Sequence, residues 1–471
     1  MEKNWDYLNE SLVGIIAPAG YGKTEEIAEA VHACDGKQLI LTHTRAGVAA
    51  LRDRMKRKKV CPDKYEIDTI ASFCLKWCKA YPSTAQVQIP KKMNEINYQD
   101  IYKGTGKVFS HYWAKLVLEQ TYAGIFVDEY QDCTESQHEV FMMLENLIPI
   151  RIFGDPLQGI FYWVKDDKIV NWNSFSFKVI TPLTTPWRWE KTNKELGKLL
   201  DNLRRTIIVA LEGKSVTINI ADVPGCMTII NTSKWNNGSY AYRIKHYNSV
   251  VYLSVIPNKQ KSFSQHNGGY FQCDERKDLA EAEEIIAAIE SYEKEKKALV
   301  FLEKMKIMVN GIQGELKSYI NNLNKGKSDF SRISKHKELG KIIENICSED
   351  SPQPVLEALR WFERSEDFKI YRKELFYRIG KIYAHMVEEK TSLYEAVEAL
   401  SSQRYFSEKR FNFPRLSSRT VLTKGLEFDC VIIDARDKMD VRDFYVAMTR
   451  AKKHIYIISD AKQLSFSGVQ Y

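Results

Sequence analysis

The segment Ala17-Pro18-Ala19-Gly20-Tyr21-Gly22-Lys23-Thr24 has the composition of a phosphate cradle. Gly20 and Gly22 let the backbone curl its N–H groups around phosphate oxygens at the positive end of a following helix. Lys23 is placed to reach the β- and γ-phosphates, and Thr24 to hold Mg²⁺ through its hydroxyl. The first position is Ala17, where the strict pattern has glycine. In VDEYQD (127–132), Asp128 and Glu129 end an apolar run. One carboxylate of such a pair anchors Mg²⁺, and its neighbour serves as general base on an attacking water. Gln158, in GDPLQGIFYW (154–163), suits orienting water or sensing the γ-phosphate. Arg188 and Arg450 are candidate transition-state cations, a contact worth about 10³–10⁵ in rate. With KGLEFD (424–429) and FYVAMTRA (444–451), these blocks in this order predict ATP hydrolysis coupled to a nucleic-acid strand.

Such residues must be delivered by a scaffold. Residues 12–17 read as a buried strand running into the glycine-rich turn, with a helix from about Thr24. Strand-like runs recur at 38–42, 124–128 and 149–153 with helical stretches between them. That alternation predicts an α/β fold with a parallel sheet covered by helices and active residues at the carboxyl ends of the strands. Residues 207–272, rich in β-branched and aromatic runs, read as an antiparallel meander. A helix at 278–292 and a strand at 298–302 (ALVFL) then suggest a second α/β core, and 430–434 and 454–458 return to strand patterns. Residues 311–404 read as mainly helical, with Leu375, Ile379, Ile382 and Met386 on one apolar stripe. GKSDFS (326–331) and SEDSPQP (348–354) are linker candidates.

Composition excludes more than it assigns. With 471 residues the chain has enough apolar surface for several domains. No apolar run approaches the roughly 18 residues that span a bilayer, and no signal-peptide pattern opens the sequence, so the expectation is a cytoplasmic protein without a membrane partner. Nine cysteines without CxxC spacing predict buried free thiols rather than a metal or disulfide framework. A net charge of +8 is compatible with a polyanionic partner.

These motifs together resemble the UvrD/Rep-type superfamily 1 DNA helicases, with this chain a compact and divergent example. THTRAGVAALRDR (42–54) resembles the family's strand-contacting segment, DTIASF (68–73) its threonine-aromatic motif and TPWRWEKTN (185–193) its arginine motif. The resemblance implies two RecA-like P-loop NTPase cores with a mainly helical insertion in the second. The first core would be 1–180, with a short helical insertion at about 79–119. The second would be 181–310 plus 405–471, with a β-rich extension at about 207–272, and 311–404 the helical insertion. It further implies ATP and Mg²⁺ as cofactors and 3′→5′ movement on single-stranded DNA or a tailed duplex. Glu427 would contact the nucleotide sugar, Gln158 would couple the γ-phosphate to the strand, and Arg188 with Arg450 would engage phosphates. Thr42, His43 and Thr69 would contact DNA, and Trp163 would stack on a base. Departures are plain: no glutamine precedes Gly20, and Val421, Arg419 and Ala71 stand where the family has histidine, threonine and histidine.

Single strands are gripped by basic grooves and aromatic platforms. Tyr162, Trp163, Trp187 and Trp189 cluster beside the catalytic blocks, and Arg52, Arg54, Lys56, Arg57, Lys58 and Lys59 form the densest basic run, a solvated helix end or a phosphate ridge. A second function class fits the same residues: a DNA-sensing ATPase switch or regulatory subunit of a nuclease-containing complex, as in antiviral defence, with little unwinding of its own. A general P-loop kinase or GTPase lacks the GDxxQ, KGLE and TRA blocks. No nuclease motif is visible, so cutting would fall to a partner subunit.

Overall fold

The computed structural model describes residues 5–90, 96–161, 167–234, 243–256, 258–274, 279–404 and 413–470. The chain forms two compact units, 1–229 with 423–427 and 438–471, and 230–422 with 428–437.

In the first unit, strands β1 (Leu12–Ile16), β2 (Gln38–Thr42), β3 (Tyr65–Thr69), β4 (Gly124–Val127), β5 (Ile150–Gly154) and β6 (Lys178–Ile180) form one sheet in the order β3-β2-β4-β5-β1-β6. Every pairing is parallel, with Gly14 opposite Ile152 and Ile40 opposite Phe126. The apolar runs are near-continuous because both faces are covered, and successive side chains go to opposite faces. Val13, Ile15, Ile40, Phe126 and Phe153 pack with Ile27, Val31, Leu51 and Met55 of the helices Lys23–Ala33 and Arg45–Arg57. Leu12, Leu39, Leu41, Ile125, Val127, Ile150 and Ile152 pack with Phe73, Cys74, Phe109 and Phe141 on the other face. The short insertion is helical, with Tyr98–Phe109 and Tyr112–Thr121 as its longer helices.

Residues 207–272 are not a meander. β7 (Val216–Asn219) and β8 (Met227–Ile230) do not pair with each other; β9 (Val250–Ser254) and β10 (Gln272–Cys273) follow. β7 runs antiparallel to a C-terminal strand, 463–466, with Thr217 opposite Ser465. Near β8, Ile455 N donates to Cys226 O at 2.9 Å. β-branched runs and turn residues mark strands but do not say which strand is the partner.

In the second unit, β9 and β10 are joined by β13 (Arg415–Arg419) and β14 (Phe428–Asp434), parallel in the order β10-β13-β9-β14. Between them in sequence, β11 (Val309–Asn310) and β12 (Lys369–Ile370) make a small antiparallel ribbon. β15 (Ala451–Ile458) and β16 (Gln463–Phe466) complete the strands of the first unit. ALVFL lies within the helix Lys294–Met305 rather than in a strand. Ala298, Phe301, Leu302 and Met305 are all fully buried, a spacing of i, i+3, i+4, i+7 that a five-residue apolar run cannot reveal. They join one helical core running from Ala282 to Ala396, which includes Leu375, Ile379 and Ile382. The two linker candidates are connections inside this core, since Phe330, Leu339 and Val355 pack in the same cluster. Helices on parallel strands in both units, with a mainly helical insertion, make this an α/β fold of two RecA-like P-loop NTPase cores.

Among the described residues no helix is long and apolar enough to cross a membrane, and no cluster of metal-ligating side chains of three or more His, Cys, Asp or Glu is present. The nine cysteines are free thiols.

Candidate active site

The phosphate loop, the carboxylate pair and the Gln158 segment follow the carboxyl ends of β1, β4 and β5 of the first sheet. β1 runs into the phosphate loop, where Gly20 and Gly22 have φ of +77° and +85°. A Cβ on Gly20 would sit 2.8 Å from both Arg188 Cβ and the Trp189 ring, so the loop needs glycine there for conformation and for space. Ala17 and Ala19 are buried beneath the loop, and Pro18 lies between them. Lys23 is buried, and its Nζ donates to Ala17 O at 2.9 Å and to Pro18 O at 3.4 Å. Burial holds its pKa down, while Glu129, Asp155 and Asp128 oppose that. Tyr21 turns its hydroxyl to Asp201 Oδ1 at 3.0 Å.

β4 delivers the carboxylates. Thr24 Oγ1 lies 3.4 Å from Asp128 Oδ2, two hard oxygen donors of the kind Mg²⁺ prefers. This donor pair beside a buried lysine fits a Mg²⁺-bound nucleotide held by Thr24 and Asp128. Burial first, and the neighbouring Glu129 charge second, push the Asp128 carboxyl up to about 7. Burial would raise Glu129 as well, but the Lys23 and Lys424 ammonium groups outweigh it and hold that carboxyl low. Glu129 sits at φ +58° and accepts a short hydrogen bond from the Gln131 amide. Gln131 Oε1 in turn accepts from Asp155 N at 2.9 Å.

Beyond β5, Gln158 Nε2 donates to Asp155 Oδ2 at 2.9 Å and Gln158 Oε1 accepts from Arg450 Nη2 at 3.1 Å. Arg450 is 2% exposed and is further fixed on Val446 O at 3.0 Å. Burial, then the neighbouring Arg188, lower its pKa to about 10, which leaves it a cation at neutral pH. Arg188 bonds Glu427 Oε1 at 2.7 Å and Thr449 O at 2.6 Å, while its buried Nε has no partner. The structure therefore gathers Lys23, Thr24, Asp128, Glu129, Gln158, Arg188, Glu427 and Arg450 in one unit, and pairs Glu427 with Arg188.

The residues expected to touch DNA are placed less uniformly. Thr42 is 1% exposed beneath Gly47. His43 Nε2 lies 3.2 Å from Cys133 Sγ, and burial followed by the Lys424 charge lowers its pKa to about 3, so the ring is neutral. Thr69 Oγ1 accepts from Ser72 N at 3.1 Å and caps the helix Ile70–Ala80. Trp163 and Tyr162 lie outside the described residues. Trp189 is an internal anchor, its Nε1 donating to Ala451 O at 2.7 Å. Trp187 is 61% exposed, and its indole lies against the phosphate loop, 3.2 Å from where a Gly22 Cβ would be. In the basic run, Arg54 and Lys58 are engaged by Glu25 and Glu29 of the preceding helix, so part of that ridge is internally neutralised. Near the N-terminus, Tyr7 is turned inward, its hydroxyl donating to Glu26 at 2.9 Å.

Sequence reasoning missed Arg204, Asp155, Tyr445 and Lys424 as members of the site. Lys424 Nζ pairs with Asp132 and donates to Gln158 O at 2.6 Å. Arg204 occupies the apolar face of its helix with Leu196, Leu200 and Ile207. An arginine on a buried stripe was the available signal.

A phosphate loop, a carboxylate pair, a glutamine and a buried arginine on a doubly wound sheet define a P-loop NTPase. Residues 87–176 match the UvrD/REP helicase N-terminal domain, and residues 422–458 match the UvrD-like helicase C-terminal domain. Over these two stretches the chain is similar to the UvrD-like helicases. It is also 33% identical over 88 residues to Gabija protein GajB of Bacillus cereus (strain VD045), a match covering 16% of this chain and 18% of that protein. Among solved structures it is similar to Arterivirus nonstructural protein 10 (helicase) in complex with DNA, at 10% identity and a TM-score of 0.34 over 96% of this chain and 63% of that one. The PRRSV helicase gives a TM-score of 0.34 at 10% identity, over 96% of this chain and 53% of that one. The chain thus spans less than two thirds of each of these proteins.

Proposed function

We propose that the chain is an ATP-driven DNA translocase and helicase that moves 3′→5′ on single-stranded DNA. The observation that carries this reading is the contact of Gln158 with Arg450 beside the phosphate loop and the Asp128–Glu129 pair. Lys23 would hold the β- and γ-phosphates, and Glu129 would take a proton from the attacking water. Gln158 would position that water, and Arg450 with Arg188 would meet charge developing on the phosphoryl group. Mg²⁺ held by Thr24 and Asp128 would neutralise phosphate charge. The phosphate loop from Ala17 to Thr24 would cradle the nucleotide, with Glu427 released from Arg188 to reach the sugar. His43, Thr69 and Trp163 belong to the proposal as the DNA-facing set, and Thr42 as a buried support. The division into cores 1–180 and 181–310 with 405–471, and an insertion at 311–404, belongs to it too.

The test is ATP hydrolysis by the purified chain with and without single-stranded DNA, with Lys23→Ala as control. Stimulation of at least tenfold that Lys23→Ala abolishes is the expected outcome. A rate indifferent to DNA would overturn the autonomous motor. The likeness to Gabija protein GajB favours a second reading, a DNA-sensing ATPase subunit that controls a nuclease partner. Tailed duplexes separate the two: a motor unwinds a 3′-tailed duplex alone, whereas a subunit of this kind does not.

A further inference from the structure

The helix Lys194–Ile207 presents Asp201 and Arg204 from one face, one turn apart. Asp201 accepts the Tyr21 hydroxyl of the phosphate loop at 3.0 Å. Arg204 Nη1 donates to Asp155 Oδ1 at 2.6 Å and to the Tyr445 hydroxyl at 3.1 Å, with its guanidinium 5.5 Å from the centre of the Tyr445 ring. Asp155 follows β5, and Tyr445 lies on the helix Val441–Thr449 that Arg450 terminates. Arg204 is 7% exposed and Asp155 fully buried, so the pair is charge-assisted and shielded from water.

The consequence falls on Gln158. Asp155 offers its second oxygen, Oδ2, to Gln158 Nε2, which leaves only the carbonyl oxygen Oε1 to face Arg450. An amide not held this way can turn over and present its NH₂ group to a guanidinium, which is repulsive. We infer that Arg204 is a positioning residue: by fixing Asp155 and Tyr445 together it sets the orientation of the Gln158 amide against Arg450, and so couples phosphate-loop occupancy to the arginine that acts on the phosphoryl group. This rests on the ATPase reading above but not on the DNA reading. A structural ion pair alone would need only the contact with Asp155. The second bond to Tyr445, and the Tyr21–Asp201 bond from the same helix face, tie three separate pieces of the site to one rigid element.

The experiment compares wild type, Arg204→Met, Arg204→Lys and Tyr445→Phe in steady-state ATP hydrolysis, binding of a fluorescent ATP analogue and thermal unfolding. Arg204→Met is expected to lower kcat at least tenfold while KM and analogue affinity stay within twofold. Arg204→Lys keeps a cation for Asp155 but loses the planar guanidinium that packs on Tyr445, so it should recover part of kcat. Tyr445→Phe removes one hydroxyl, and a loss of about threefold in kcat at unchanged Tm is expected. Arg204→Met strands a buried carboxylate and can cost the fold, in which case Arg204→Lys and Tyr445→Phe decide. Unchanged kcat in both would overturn the inference, as would losses that follow Tm with no recovery by lysine. If wild type hydrolyses ATP without responding to DNA, the DNA reading fails while the Arg204 comparison stands on the basal rate. A wild type that hydrolyses nothing overturns both.

Discussion

At the scale of single residues, the phosphate loop, the carboxylate pair and Gln158 were legible because each is constrained by local chemistry. Gly20 and Gly22 need left-handed backbone, and Lys23 needs a strand before it and a helix after it. Arg204 was missed: its place on an apolar stripe marked it as buried, but its partner Asp155 lies 49 positions upstream and nothing local names it. Trp187 shows a second limit. Its aromatic character and its place beside the catalytic blocks marked it for a DNA base. Its indole against Gly22 and its high exposure point to the nucleotide rather than the strand. Trp187→Ala should therefore raise KM for ATP about tenfold, the worth of one lost stacking contact, and leave single-stranded DNA affinity unchanged. Nucleotide titrations and DNA-binding isotherms on the same preparation check this.

At the scale of elements, strands buried on both faces announced themselves as continuous apolar runs, and β1, β2, β4 and β5 fall where those runs lie. Partner choice did not, as the strands of 207–272 demonstrate. The ends of β9 and β14 carry a consequence of their own. Asp434 accepts from Tyr252 at 2.7 Å, from Lys259 at 2.8 Å and from both branches of Arg436. Burial pushes its carboxyl up, but bonds from Arg436, Lys259 and Tyr252 prevail and hold it at about 2, below the ordinary 3.8. A carboxylate depressed by folding stabilises the native state above its unfolded pKa and loses that contribution as pH falls through the folded one. Asp434→Asn should cost about 2 kcal/mol at pH 7, since it removes the charge-assisted bonds to Arg436 and Lys259 while Lys259 keeps Asp437. It should also flatten the loss of stability between about pH 4 and 2. Urea unfolding as a function of pH measures both.

At the scale of the whole molecule, the described nucleotide-site residues all belong to the first unit, and the large helical core belongs to the second. A ligand that binds only the native form stabilises it by about 2.7 kcal/mol at a hundredfold excess over Kd. A non-hydrolysable ATP analogue with Mg²⁺ should thus raise the unfolding transition of the first unit and leave that of the second in place. Calorimetry with Lys23→Ala as control reads this directly: equal shifts of both transitions would contradict it.

The contact between Gln158 and Arg450 spans 292 positions of chain. At synthesis rates of about 5–20 residues per second, the two are made on the order of 15–60 s apart. For most of that interval the emerging polypeptide carries the phosphate loop and Arg188 but lacks Arg450. On the proposed reading, a growing chain thus holds the loop that would bind nucleotide well before it holds the buried arginine that faces Gln158.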